Sequence, residues 1–151
     1  MSFVTFVVNN LEVLSATLRH TREESPVAGE LILIIEDNEK NRKLCRDVLQ
    51  VKGYRTIESE TAEVGLDLAR SESPALILMD IQLPGMDGIT AMKQLKADAH
   101  TESIPIIAIT ASAMTNNRTA MLADGFDGYQ TKPITLKDFF AEVERVLAPR
   151  K

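Results

Sequence analysis

The sequence contains one cysteine, no tryptophan and no long apolar run. A chain with Cys45 as its single cysteine cannot form an intrachain disulfide, which is typical of proteins in a reducing compartment. No stretch reaches the roughly 18 to 20 apolar residues that span a bilayer. The apolar run at residues 3–8 is too short for a signal peptide and follows no positive charge. These absences predict a cytoplasmic protein with no membrane insertion.

Positive charge is also scarce. Lysine and arginine number 17 against 22 aspartate and glutamate residues, so the net charge is −5 and the pI is near 5.1. Because nucleic-acid binding usually needs a basic face, we expect no direct contact with nucleic acid. His20 and His100 are interpreted as solvated residues, since the sequence offers neither of them a partner group for catalysis or ligand binding.

The composition suits one globular domain preceded by an extension. Hydrophobic residues make up 44% of the chain and charged residues 26%, which is typical of a folded protein of this length. Residues 1–29 do not share the regular pattern that follows, and Pro26 and Gly29 indicate a linker. We therefore predict an N-terminal extension at 1–29, whose structure the sequence leaves open, a domain at 30–148 and a tail at 149–151.

From Leu31 onward, apolar runs alternate five times with helical patterns. Each run is suited to a buried parallel strand, and the more polar second run indicates an edge position. Such alternation predicts a doubly wound parallel α/β sheet, a flavodoxin-like (βα)5 fold with strand order 2-1-3-4-5. The predicted strands are 31–35, 54–58, 76–80, 104–109 and 126–130. The predicted helices follow Asn38, Thr61, Asp87, Met114 and Thr135, the last with Thr135 and Asp138 as a capping box.

Acidic side chains stand at the ends of two strands that this order makes neighbours. Glu36 and Asp37 follow the first strand, and Asp80 ends the third. Three crowded carboxylates repel one another, and a hard divalent cation relieves the repulsion. Mg²⁺ prefers oxygen ligands and keeps several waters. We predict a magnesium site with Asp37 and Asp80 as direct ligands, the Gln82 carbonyl as a third, and Glu36 acting through water.

Two more polar groups arrive from the ends of the fourth and fifth strands. Thr110 offers a hydroxyl and Lys132 an ammonium. A carboxylate nucleophile, Mg²⁺, a hydroxyl and a lysine are the parts needed to accept a phosphoryl group and to stabilise its charge. Each residue alone could be an ordinary cap, turn or solvated side chain. Their joint position at adjacent strand ends favours the functional interpretation, an aspartyl phosphate on Asp80.

Four blocks resemble the receiver domains of two-component response regulators, and their spacing matches over about residues 30–148. The blocks are Ile-Ile-Glu-Asp-Asn at 34–38, Met-Asp-Ile-Gln-Leu-Pro-Gly-Met-Asp-Gly at 79–88, Ile-Thr-Ala at 109–111 and Thr-Lys-Pro at 131–133. The local sequence is most similar to stand-alone receivers of the cell-cycle-regulator kind and to receivers of hybrid kinases.

The resemblance implies a phosphorelay switch. A histidine kinase or a histidine phosphotransfer protein would phosphorylate Asp80 with Mg²⁺, Thr110 would move toward the phosphoryl group, and Tyr129 would be the switch aromatic. It also implies a cis bond between Lys132 and Pro133. The output would be a changed surface on the fourth helix, fifth strand and fifth helix, recognised by a downstream protein that the sequence does not identify. Glu36 stands where aspartate is commoner, and Gln82 and Ser112 occupy positions that tune the lifetime of the phosphoryl group.

Three other functions fit the sequence less well. An Mg²⁺-dependent phosphohydrolase of the haloacid-dehalogenase-like kind needs a second aspartate two residues after the nucleophile, where this chain has Gln82, and also a cap domain. A degenerate receiver acting as a constitutive scaffold would lack some of the site residues. A nucleotide-binding protein would need glycines in the loop after the first strand. We therefore expect no dedicated enzyme beyond self-phosphorylation and self-dephosphorylation. The oligomeric state stays open and includes a homo-oligomer.

Overall fold

Strands and helices alternate along the whole described chain. The structure is a computed structural model that describes residues 29–111 and 118–148. The strands are β1 (Leu31–Ile35), β2 (Arg55–Ser59), β3 (Leu76–Asp80), β4 (Ile106–Thr110) and β5 (Gly128–Thr131). The helices are α1 (Glu39–Val51), α2 (Ala62–Glu72), α3 (Gly88–Ala97), α4 (Arg118–Asp124) and α5 (Leu136–Leu147).

All five strands are parallel and lie in the order β2-β1-β3-β4-β5. This confirms the predicted 2-1-3-4-5 order and the edge position of β2. In the register of β1 and β3, Ile35 pairs with Met79, so the residues that follow them, Glu36 and Asp80, emerge side by side. The strand order therefore brings the predicted acidic residues to one edge of the sheet.

Two apolar cores cover the two faces of the sheet, because neighbouring residues of each strand point to opposite sides. Ile32 and Ile34 face α1 and α5, whereas Leu33 and Ile35 face α2 and α3. The first core includes Cys45, Leu49, Tyr54, Phe139 and Val143 from outside the central strands. The second core includes Ala62, Leu66, Ala69, Ala91, Met92, Leu95, Met121 and Phe126.

Side chains at the helix starts largely follow the sequence prediction. Asn38 accepts a hydrogen bond from the Asn41 amide at 3.0 Å, and Asp87 accepts one from the Thr90 amide at 2.8 Å. Such caps satisfy backbone N–H groups that the first helical turn leaves unpaired. These two caps fix the helices that follow the acidic pair and the Asp80 turn.

The predicted capping box at the start of α5 is wrong. The Thr135 side chain makes no capping hydrogen bond. Its hydroxyl instead donates to the Asp138 carboxylate at 3.0 Å. Since a hydroxyl that faces a carboxylate is oriented as a donor, this contact replaces the one to the backbone N–H.

Strand boundaries shift by one or two residues from their predicted positions. β4 begins at Ile106 and not at residue 104, because Pro105 has no N–H and the Ile104 amide donates to the Thr101 carbonyl of the preceding turn. β5 begins at Gly128 and not at residue 126, since the Phe126 amide still bonds to the end of α4. β4 also ends one residue later than predicted, at Thr110.

Several predictions lie outside the described residues. They concern residues 1–28 of the extension, residues 112–117 with Ser112 and the start of the predicted fourth helix, and residues 149–151. His20 belongs to the first of these segments, whereas His100 is described and its side chain is 82% exposed, as predicted. In the ranges 29–111 and 118–148, no helix combines the length and the apolar character that a bilayer crossing requires.

Candidate functional site

Asp80 is the last residue of a fully buried strand and is itself only 3% exposed. Its Oδ1 accepts a hydrogen bond from the Gln82 amide at 3.0 Å, and its Oδ2 lies 3.3 Å from the Lys132 ammonium nitrogen. A buried polar group needs such partners, because water is not available to replace them. The two contacts fix the orientation of the Asp80 carboxylate at the edge of the sheet.

Two further carboxylates lie beside Asp80. Oxygen atoms of Glu36, Asp37 and Asp80 all lie within 4.8 Å of one another. Glu36 is 2% exposed, whereas Asp37 is exposed to solvent. The cluster is therefore closed by protein on one side and open to water on the other, which suits a cation that keeps part of its water shell.

Glu36 is held from two directions. Its Oε2 accepts a hydrogen bond from the Asn38 amide at 3.1 Å, and its Oε1 lies 3.1 Å from Lys132 Nζ. Lys132 thus bridges Glu36 and Asp80. The bond between Lys132 and Pro133 is cis, as the sequence resemblance implies.

The charges of the cluster do not balance. Burial, followed by the negative charge of Asp80, raises the pKa of Glu36 from 4.5 to about 7. Burial lowers the pKa of Lys132, but the hydrogen bond to Glu36 and the charges of Asp80 and Glu36 outweigh this and raise it. One ammonium therefore faces three carboxylates, and this donor set fits a hard divalent cation.

Gln82 and Thr110 are joined through their main chains to Asp80 and Lys132, and they differ in exposure. The Gln82 main chain lies against Asp80 through its amide, while its side chain points to solvent. Thr110 is fully buried, and its carbonyl accepts a hydrogen bond from the Lys132 amide at 2.8 Å. Thr110 is therefore joined through the backbone to the residue that bridges the carboxylates.

Tyr129 lies on the same side of the sheet as Thr110. It pairs with Ala108, two residues before Thr110, and side chains two residues apart in a strand share a face. The Tyr129 ring is half-buried and packs against the core on that face. The predicted switch pair thus has a common face and adjacent strands.

Two residues that shape the site are not among those predicted from the sequence. The Arg42 guanidinium donates to the Glu36 main-chain carbonyl at 2.8 Å and to the Glu58 carboxylate at 3.1 Å. Gly88 approaches the end of β3 so closely that a Cβ atom there would overlap the Asp80 carbonyl oxygen and come within 2.9 Å of Ile81 Cα. The glycine directly after the Asp87 cap was a readable signal, whereas nothing in the sequence marked Arg42.

A five-stranded parallel sheet with this carboxylate, lysine and threonine arrangement at its carboxyl edge defines a receiver domain. The model of the response regulator receiver domain family matches residues 32–144, and the chain belongs to that family. The chain is 42% identical over 116 residues to the polar-differentiation response regulators DivK of Brucella ovis and Brucella anthropi, a span that covers 77% of this chain and 94% of each relative. This similarity supports a stand-alone receiver of the cell-cycle-regulator kind.

Solved receiver structures superpose on the same fold. The receiver domain of a sensor histidine kinase from Pseudomonas aeruginosa PAO1 gives a TM-score of 0.74 at 30% identity, covering 81% of this chain and all of that one. That structure has a magnesium ion coordinated in its active site cleft. The receiver domain of a histidine kinase from Syntrophus aciditrophicus gives 0.73 at 26% identity, with coverage of 82% and 95%. These matches do not favour the phosphohydrolase or the degenerate scaffold.

Proposed function

We propose that Asp80 is the phosphoacceptor of a two-component phosphorelay and takes its phosphoryl group from a histidine kinase or a histidine phosphotransfer protein. The observation that carries the proposal is the buried Asp80 carboxylate, oriented by the Gln82 amide and by Lys132 beside two more carboxylates. A nucleophile held in one orientation loses little entropy on reaching the attack geometry. The 42% identity to DivK response regulators supports the same assignment.

The transfer is an in-line displacement at phosphorus. A carboxylate oxygen of Asp80 attacks the phosphoryl group of a phosphohistidine, so that a P–O bond forms and the P–N bond breaks. The imidazole nitrogen leaves with the electron pair of that bond. The Lys132 ammonium, 3.3 Å from Asp80 Oδ2, offsets negative charge on the phosphoryl oxygens. Attack by water on the same phosphorus releases inorganic phosphate and regenerates Asp80, which is the only turnover the proposal requires.

Mg²⁺ is the proposed cofactor. Asp37, Asp80 and the Gln82 carbonyl would hold it, with Glu36 acting through water. When bound, it neutralises charge on the carboxylates and on the phosphoryl oxygens. The exposed side of the cluster, where Asp37 lies, leaves room for water and phosphoryl oxygens.

Thr110 and Tyr129 form the proposed switch. A hydroxyl donor at Thr110 that turns toward a phosphorylated Asp80 would change the space beside Ala108, where Tyr129 lies on the adjacent strand. The rearranged surface of α4, β5 and α5 would be recognised by a downstream protein in the cytoplasm. The proposal includes no contact with nucleic acid and allows association into a homo-oligomer.

Mass spectrometry after incubation with acetyl phosphate and Mg²⁺ tests the phosphoacceptor. We expect one added phosphoryl group in the wild type and none in Asp80→Asn. Asp67→Asn removes the same charge from a side chain that is 81% exposed on α2, so it is the matched control and should be labelled like the wild type. Equal labelling of Asp80→Asn would refute the assignment. If the assignment holds, transfer rates to the wild type across a panel of histidine kinases would identify its partner.

A further inference from the structure

A carboxylate lies on the inner face of α5, where the helical pattern predicts apolar residues. Glu142 is 9% exposed and stands next to Val143 and one turn after Phe139, both of which are core residues. Glutamate is seldom this buried without strong partners. The proposed phosphoryl transfer makes no use of Glu142, so its position calls for another explanation.

The Glu142 carboxylate joins three parts of the fold. Oε2 accepts a hydrogen bond from the Tyr129 amide at 2.8 Å, on the edge strand β5. Arg145 donates to both oxygens from the next turn of α5, at 3.1 and 2.9 Å. Arg118, at the start of α4, brings Nη1 to 3.3 Å from Oε2. One carboxylate therefore contacts α4, β5 and α5 at the same time.

Gly128 makes room for this carboxylate. A Cβ atom at Gly128 would lie 2.7 Å from Glu142 Oε2, and 2.9 and 3.0 Å from side-chain atoms of Ile107 and Val146. Any larger residue would push the carboxylate away from the Tyr129 amide. The contact is therefore encoded at two positions, by a glycine in the strand and a glutamate in the helix.

The two arginines are not equivalent. Arg145 also donates to the Asp127 main-chain carbonyl at 2.9 Å, so it belongs to the same unit as β5 and α5. Arg118 has a side chain that is 46% exposed and lies in α4, the helix that follows Thr110 in the chain. If the Arg118 ion pair breaks, the Glu142 carboxylate still keeps Arg145 and the Tyr129 amide as partners.

We propose that Glu142 is a positioning residue of the switch and that its ion pair with Arg118 holds α4 on β5 and α5 while Asp80 is a free carboxylate. This inference rests on the proposed phosphoacceptor function. Thr110 ends β4 and Arg118 lies in the next described helix, α4, so the Arg118 pair opposes any movement of Thr110 that also shifts α4. By thermodynamic reciprocity, weakening the pair strengthens binding of the phosphoryl group or its analogue.

Beryllofluoride, an analogue of the phosphoryl group, is the probe for this coupling. We expect Arg118→Gln to bind it with Mg²⁺ about three- to fivefold more tightly than the wild type, as suits a partly exposed ion pair. The gain should shrink at high salt because exposed charges are screened. Arg118→Lys keeps the charge, so its affinity for beryllofluoride should stay close to that of the wild type. Lys43→Gln, which breaks the exposed Lys43–Asp47 pair on α1, is the matched control.

The outcomes of the titration show whether both proposals fail or only the positioning role fails. A wild type that binds no beryllofluoride overturns both the phosphoacceptor assignment and the positioning role. A wild type that binds it, with Arg118→Gln unchanged or weaker, leaves the phosphoacceptor intact and overturns the role of Glu142 and Arg118. An equal gain in Lys43→Gln would trace the effect to net charge and would also overturn that role.

Discussion

Replacing Glu36 with glutamine is expected to stabilise the metal-free chain at pH 8 and to have no such effect at pH 4. Burial and the nearby Asp80 charge raise the pKa of Glu36 to about 7 in the folded chain, against an ordinary value of 4.5. The folded state therefore binds more protons than the unfolded state between these values, and the free energy of unfolding falls as pH rises through this range. At pH 4 the side chain is protonated in the folded state and mostly protonated in the unfolded state, so little of this difference remains.

The size of the effect follows from the two pKa values. A difference of one unit between the folded-state and unfolded-state pKa values corresponds to about 1.4 kcal/mol. The stabilisation that Glu36→Gln can give at high pH is therefore at most about 3 kcal/mol. Glutamine is neutral and keeps an acceptor oxygen for the Asn38 amide, while its amino group can donate to Asp80. Because the amide has one acceptor instead of two, we expect a gain of about 2 kcal/mol at pH 8.

Urea unfolding followed by far-ultraviolet circular dichroism is the suitable assay, since the chain has no tryptophan. Wild type and Glu36→Gln are compared in chelator at pH 4 and pH 8, with Glu102→Gln as a control at an exposed loop position. Added Mg²⁺ should stabilise the wild type at pH 8 by more than it stabilises Glu36→Gln, because the cation relieves the same repulsion. A gain that is equal at both pH values, or absent at pH 8, would refute the electrostatic reasoning.

Gly88, Arg42 and Glu142 give three further predictions. Gly88→Ala should lower the free energy of unfolding by about 2 to 4 kcal/mol in urea, because its Cβ meets backbone at the end of β3, while the exposed Thr90→Ala on the same helix should cost under about 1 kcal/mol. Arg42→Gln should weaken Mg²⁺ binding several-fold in calorimetry, with partial rescue in Arg42→Lys, since the guanidinium holds the Glu36 carbonyl. Burial alone would raise the pKa of Glu142, but Arg145 and the other donors outweigh burial and lower the pKa. The wild type therefore loses stability as pH falls below 4.5, and Glu142→Gln should make this loss smaller.

The sheet order was predictable because the central strands carry strong local signals. The strand Leu31–Ile35 and residues 76–79 are unbroken apolar runs, and acidic residues follow each of them. Right-handed crossovers leave few orders for such alternation, and one of them brings Glu36 beside Asp80. The predicted site cluster followed from topology alone, since strand ends of a parallel sheet meet at one edge.

Contacts made by long side chains were not predictable in the same way. Arg42 reaches the Glu36 carbonyl and Glu58 through a flexible stem, and many rotamers of an arginine on α1 would leave it in water. Nothing in the sequence marks the contact of the Glu142 carboxylate with the Tyr129 amide on β5. Thr135 and Asp138 match a local capping pattern, but the Thr135 hydroxyl donates to the Asp138 carboxylate instead of accepting from a backbone N–H of the first helical turn. Sequence spacing defines which residues share a face, not which atoms meet.

The described contacts connect the proposed acceptor to the proposed output surface within three adjacent strands. Asp80 ends β3, Thr110 ends the neighbouring β4, and the Lys132 amide bonds to the Thr110 carbonyl while its ammonium contacts Asp80. A phosphoryl group on Asp80 would add negative charge to a cluster in which carboxylates already outnumber ammonium groups. A hydrogen bond donated by the Thr110 hydroxyl would therefore become more favourable on phosphorylation. The cost of moving Thr110 then depends on what holds the next helix, and the Arg118–Glu142 ion pair is one such contact, beside the buried Met121. A switch needs its two arrangements to differ by only a few kcal/mol, and a single half-exposed ion pair is a restraint of suitable size.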